Sequence, residues 1–224
     1  MEAQARWYLD TLPLRDAVVA DLGANVGALS AFFVRAGARR VVSVEPLPEN
    51  VAEIQRRITE DRAGDVWSVR ACAVSDRAGE LTLARGGDEE TPFNAAVTAR
   101  AEGPGLLRVP CKTLADLVPD ATVVKLDIEG HEYAVLDQAL GAMPGVRAWA
   151  IELHMVPGRP LARVIQALVA QGFTVIGAGR LRDDPTGRWV SAPVPPTLEW
   201  DAIPVAQRRA DGSVFKMLHV VARR

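Results

Sequence analysis

Cysteine is nearly missing. Cys72 and Cys111 are too few and too far apart for a disulfide scaffold or a C-x-x-C metal knuckle, and they suit a reducing compartment. Long apolar runs are missing too: the stretch 26–34 falls far short of the roughly 18 to 20 residues a membrane span needs. The first residues include Glu2 and no apolar core, so they do not read as a secretory signal. Nor is there an excess of positive charge. Twenty-six basic and 28 acidic residues leave a net charge of −2, which gives no general field for gripping nucleic acid. The arginine pairs at 56–57, 208–209 and 223–224 read as solvated surface. Internal repeats, low-complexity tracts and a clear interdomain linker are likewise absent. These absences predict a single cytoplasmic domain over 1–224, without membrane or nucleic-acid partners, and leave the oligomeric state open.

What is present is an ordinary globular composition, 49% hydrophobic and 24% charged. Short β-branched runs at 17–21, 40–45, 66–71, 122–127, 146–153, 173–176 and 213–221 read as seven strands. Helical patterns fall between them, over about 28–36, 49–60, 131–140 and 161–171. Such alternation predicts an α/β, Rossmann-like doubly wound sheet. Two insertions interrupt it. The first, about 79–118, contains an expected β-hairpin (80–84 with 106–111). The second, about 180–207, is a long loop before the last strand, rich in Pro, Arg and Trp. Its length and its Trp189 and Trp200 predict a lid that folds over the site and selects the substrate.

Four motifs carry chemistry. Asp21-Leu-Gly-Ala-Asn-Val-Gly27 joins the first strand to the first helix, with Gly23 and Gly27 permitting a tight turn. Positions 25 and 28 are Asn and Ala, so the spacing fails as a nicotinamide fingerprint. Glu45 closes the second strand, where α/β cofactor domains place an acid against ribose hydroxyls. A cofactor with ribose, amine and carboxylate but no phosphate fits, because Asp21 would repel a pyrophosphate. That description matches S-adenosyl-L-methionine. In Lys-Leu-Asp-Ile-Glu-Gly-His-Glu (125–132), Asp127 ends the fourth strand at the ligand-binding rim, near His131. In Trp-Ala-Ile-Glu-Leu-His (149–154), Glu152 and His154 share a face and reach the same rim. Asp127 and Glu152 could hold a divalent metal, or the group could orient a hydroxyl and take its proton. His219, in the final strand, reads as structural.

Together these segments resemble the FkbM family of class I methyltransferases. The likeness runs through Val44-Glu-Pro46, Ala71-Cys-Ala-Val-Ser-Asp76 with Gly79-Glu80, Thr113-Leu-Ala-Asp116, and Val135-Leu136, covering most of 17–177. The resemblance implies a seven-stranded sheet with its last strand antiparallel, and S-adenosyl-L-methionine as cofactor. It also implies O-methylation of a small hydroxylated acceptor, a natural product or sugar. Asp21, Gly23, Ala24, Asn25, Gly27, Glu45, Pro46, Ala73 and Asp127 are then the cofactor residues. His154 is the expected base, oriented by Asp127 or Glu152, with His131 as its understudy. A metal on Asp127 and Glu152 is the less favoured version. N-methylation and a non-catalytic cofactor-binding module remain the competing readings.

Overall fold

The computed structural model describes residues 2–85, 95–98, 103–180, 189–203, 207–208 and 214–224. The chain begins with α1 (Glu2–Thr11), β1 (Val18–Leu22), α2 (Ala28–Arg35), β2 (Arg40–Val44), α3 (Pro48–Glu60) and β3 (Trp67–Arg70). An insertion follows: β4 (Ala73–Val74), β5 (Gly79–Arg85), β6 (Ala95–Val97), β7 (Leu106–Lys112) and the short α4 (Leu114–Leu117). Alternation then resumes with β8 (Val123–Leu126), α5 (Glu132–Ala142), β9 (Ala148–His154), α6 (Leu161–Ala170) and β10 (Thr174–Arg180). The last elements are β11 (Trp189–Pro193), β12 (Gln207–Arg208), β13 (Val214–Phe215) and β14 (Met217–Arg223).

The central sheet has the order β11-β10-β14-β9-β8-β1-β2-β3. The strands from β9 to β3 run parallel, and β14 lies antiparallel between β9 and β10. Residue alternation splits the core in two. Val18, Ala20, Leu22, Val124, Leu126, Ile151 and Leu153 pack with α5 and α6. Val19, Val41, Val123, Ala148 and Ala150 pack with Trp7 and Tyr8 of α1, Phe33 of α2 and Ile54 of α3. Strands covered on both faces need apolar residues at every position, which is why β1 and β8 read as continuous runs. Asp21 and Lys125 break those runs, and both belong to the site described below.

Among the described residues the sheet has eight strands, one more than the sequence predicts. The extra strand, β11, comes from the segment expected to be a lid. It pairs antiparallel with β10 from Ile176↔Pro193 to Arg180↔Trp189. Val194 and Trp200 beyond it are buried in the α5–α6 core. There the Trp200 indole N–H donates to the Tyr133 hydroxyl at 3.2 Å, and Lys216 Nζ donates to the Trp200 carbonyl at 2.7 Å. The described part of 180–207 is therefore an edge strand and core packing rather than a lid; Trp189's side chain lies outside the described residues.

The first insertion builds a second sheet, β4-β7-β5-β6. Within it β5 and β7 pair antiparallel, Glu80 opposite Pro110 and Leu83 opposite Leu107. The sequence predicts no helix at α1, whose large apolar residues Trp7, Tyr8 and Leu9 are too few for a clear period. Among the described residues no helix is long and apolar enough to cross a membrane.

Candidate functional site

A cleft of ≈ 240 Å³ opens where β1, β2, β8 and β9 end, bounded on its outer side by the second sheet. This is the crevice in which open α/β sheets bind ligands. One wall is the turn after β1. Gly23 and Gly27 hold φ of +72° and +77°, left-handed conformations that cost glycine little. A Cβ on Gly23 would lie 1.8 Å from the Asp127 carbonyl oxygen, so the β1 and β8 loops meet backbone to backbone. A Cβ on Gly27 would lie 2.9 Å from Ile54 and 3.0 Å from Trp67. Asn25, also left-handed at φ 51°, directs its backbone N–H to Glu45 Oε2 at 2.9 Å. Glu45 Oε1 accepts from the Leu47 N–H at 3.0 Å and from Asn50 Nδ2 at 3.2 Å. Burial raises the Glu45 carboxyl above its ordinary range, and these hydrogen bonds work against that rise. All three donors are neutral, and a carboxylate with about four acceptor sites keeps room for a ligand hydroxyl.

The facing wall is ionic. Lys125, 3% exposed, lies 3.5 Å from Asp21 Oδ1 and 3.4 Å from Asp127 Oδ2, and donates to the Gly23 carbonyl at 2.9 Å. Burial alone would lower its pKa; Asp127 and Asp21 outweigh burial and raise it, so the ammonium stays charged. Behind it, Glu132 is fully buried, and one of its oxygens accepts from three donors. These are the Ile128 and Gly130 N–H groups at 3.0 Å each, and His154 Nδ1 at 2.9 Å. Those bonds fold residues 128–130 into a tight turn with Glu129 left-handed at φ 55°, placing Glu129 on the cleft. Glu129 and Glu152 lie 3.7 Å from His154 Nε2, and Glu152 lies 3.3 Å from His219 Nδ1. Burial raises both carboxyls; repulsion from Asp127 adds to the effect, and His154 opposes it.

Of the residues singled out in the sequence, Gly23, Asn25, Glu45, Pro46, Ala73, Asp127, Glu152 and His131 line the cleft. Asp21, Ala24, Gly27 and His154 do not. Asp21 points toward α2, fully buried, with Oδ2 accepting from the Ser30 hydroxyl at 2.5 Å. Ser30 in turn meets Ser43 at 2.6 Å, and Ser43 accepts from the Trp67 indole N–H at 2.7 Å. Ala24 is 5% exposed and donates its N–H to Val44. Gly27 serves packing under the turn. His154 departs most from expectation. It sits 4% exposed behind the wall; burial alone would lower its pKa, but the Glu132 hydrogen bond and the Glu132, Asp127 and Glu129 charges push it up to about 9. An imidazolium at neutral pH cannot accept a proton, so the expected base is a buried cation.

Asp127, Glu152 and His154 bring donor atoms within 4.8 Å of one another. Lys125 and His219 already face two of these groups, and His154 Nδ1 is bonded to Glu132. The Lys125 ammonium beside Asp127 and the bond of His154 Nδ1 to Glu132 make the set a poor fit for a divalent ion. His219, read as structural, joins this cluster through its register opposite Glu152. The apolar lining from Val74, Leu81, Leu83 and Val97 is not legible in the sequence, because it depends on the second sheet closing over the first. Among the described residues no lysine or arginine lines the cleft.

Comparison with known proteins bears on this arrangement. The structure of methyltransferase FkbM from Methylobacillus flagellatus KT is 18% identical, with 66% of this chain and 39% of that chain covered and a TM-score of 0.44. This chain therefore spans about two fifths of that protein's length. Precorrin-6y C5,15-methyltransferase from Geobacter metallireducens GS-15 is 12% identical over 98% of this chain and 86% of that one, at a TM-score of 0.51. Sp1610 of Streptococcus pneumoniae, in complex with S-adenosyl-L-methionine, is 10% identical over 98% and 72%, also at 0.51. At these identities the last two speak to the fold alone, a Rossmann-like α/β sheet. No curated protein matches the sequence. The model of the methyltransferase FkbM domain, however, matches residues 21–175, from the buried Asp21 of β1 to Val175 of β10. That span contains every residue lining the cleft, and the chain belongs to the FkbM methyltransferase family.

Proposed function

We propose that the chain is an S-adenosyl-L-methionine-dependent methyltransferase whose acceptor is a hydroxyl group on a small molecule, a natural product or sugar. The observation that carries this reading is the charge of the cleft. Among the described residues, Glu45, Asp127, Glu129 and Glu152 line it and no lysine or arginine does. Such a lining disfavours phosphates and suits a ligand with ribose hydroxyls, an ammonium and a sulfonium. S-adenosyl-L-methionine, when bound, supplies a methyl group already activated by its positive sulfur.

The chain's own residues then bind, orient and exclude water. Glu45 receives ribose hydroxyls, and the apolar residues of the second sheet cover a flat base. Asp127, Glu129 and Glu152 balance the cofactor's positive charge and orient the acceptor. Holding acceptor and methyl near contact distance accounts for much of the rate such reactions need. The small-molecule acceptor, and a cytoplasmic setting for it, are parts of the same proposal. Calorimetry with S-adenosyl-L-methionine and S-adenosylhomocysteine tests the cofactor. Release of S-adenosylhomocysteine with hydroxylated acceptors, and not with their amino counterparts, tests the chemistry. A folded protein that binds neither cofactor form would overturn the reading. Binding with no turnover on any acceptor would favour the non-catalytic module.

A further inference from the structure

We propose that His131 is the group that takes the acceptor's proton, with its tautomer fixed by a relay through Ser75 to Asp76. The inference rests on the reading of the cleft as a methyl-transfer site and names the base within it.

The relay follows from hydrogen counting. The Ser75 hydroxyl, on a residue 2% exposed, donates to Asp76 Oδ1 at 2.9 Å, because a carboxylate can only accept. A hydroxyl has one hydrogen. The same oxygen lies 2.9 Å from His131 Nε2, so in this pair Nε2 must be the donor. A neutral imidazole with Nε2–H carries its lone pair on Nδ1. Among the described residues no hydrogen bond engages Nδ1, and the ring lines the cleft. The relay is itself anchored, since the Ser75 N–H donates to the Lys112 carbonyl at 2.9 Å. Burial lowers the His131 pKa against the charges of Asp76 and Glu132, which keeps the ring neutral near pH 7.

Two alternatives are already engaged. His154 is held as a cation behind the wall by Glu132. The Glu152 carboxylate is shared between His154 and His219. In the proposed step the acceptor's O–H bond breaks as its oxygen bonds to the methyl carbon. The electron pair of the severed C–S bond stays on sulfur, and the proton goes to His131 Nδ1 and then to solvent.

The chain has three histidines, so long-range ¹H–¹⁵N correlation spectra of the ¹⁵N-histidine protein resolve each ring, with His131→Gln assigning its signal. At pH 7.5 the expected pattern is Nε2–H with a bare Nδ1 for His131, and both nitrogens protonated for His154. Ser75→Ala should release the constraint, so that both His131 tautomers appear. An Nδ1–H form or an imidazolium at His131 in the unmodified protein overturns the proposal, as does a tautomer unmoved by Ser75→Ala. In turnover with S-adenosyl-L-methionine and a panel of methyl glycosides, His131→Gln should lower kcat by about 10²-fold or more with cofactor affinity kept. Ser75→Ala should lower it about tenfold, the worth of one hydrogen bond. A His131→Gln protein within about threefold of the parent overturns the assignment, as does Glu152→Gln abolishing turnover that His131→Gln spares. Failure of cofactor binding would strike the functional reading instead, and would leave the measured tautomer standing.

Discussion

The two walls of the cleft hold their carboxylates in opposite ways. Glu45 is fixed by two backbone N–H groups and one amide, all neutral. Across from it, Asp127, Glu129, Glu132 and Glu152 face Lys125, His154 and His219. Neutral donors position a carboxylate without cancelling its charge, so Glu45 stays available to a ligand. Lys125 and His154 hold Asp127, Glu129 and Glu152 by charge as well as by position, so these acids are in place before any ligand arrives. The two walls therefore differ in how their carboxylates are held, by neutral donors on one side and by cations on the other.

The sharpest test removes a cation. Lys125→Met should cost roughly 3 to 5 kcal/mol of stability, because it leaves the fully buried Asp21 without its counter-charge. Urea denaturation measures it, and a loss below about 1 kcal/mol would break the contrast between the walls.

Next comes pH. His154 titrates at an ordinary 6.5 when unfolded and about 9 when folded. A raised folded value contributes stability that is complete below pH 6.5 and is lost as pH climbs through 9, about 3 kcal/mol in all. The raised carboxyls of Glu129 and Glu152 push in the same direction at lower pH. Denaturation midpoints between pH 6.5 and 9.5 should fall for the parent protein and flatten for His154→Gln. A parent midpoint that rises with pH would mean that His154 is neutral.

On the neutral wall, Glu45→Ala should weaken S-adenosyl-L-methionine binding by roughly 1.5 to 3 kcal/mol while the fold survives. Calorimetry showing unchanged affinity in a folded variant would remove Glu45 from the cofactor site. The smallest effect is expected from a chelator. With Lys125 beside Asp127 and His154 bonded to Glu132, EDTA should leave turnover unchanged, and activity lost to EDTA and restored by Mg²⁺ would reassign Asp127 and Glu152 as ligands.

The sheet is legible where strands are covered on both faces, since β1, β2, β8 and β9 are apolar at most positions. Asp127, Glu45 and the 21–27 turn were legible because each sits at a strand end. β11 was not, because its pairing with β10 depends on register along an edge rather than on any alternation in its own residues. Asp21 was placed on the ligand, yet strand parity turns it toward Ser30 of α2. His154 shares a face with Glu152, as alternation requires. What alternation could not show was Glu132, arriving from α5 to hold that imidazole as a cation.

The contact between Lys125 Nζ and the Gly23 carbonyl joins residues 102 positions apart. It implies an order of assembly. The β1 turn cannot take its final shape until β8 has docked beside it, which means closing a loop of about a hundred residues before that contact rewards the closure. An isolated N-terminal half would carry the Asp-Leu-Gly-Ala-Asn-Val-Gly sequence without the cleft it lines. On the folding pathway, competence to bind is gained late, at the moment when distant parts of the chain first meet.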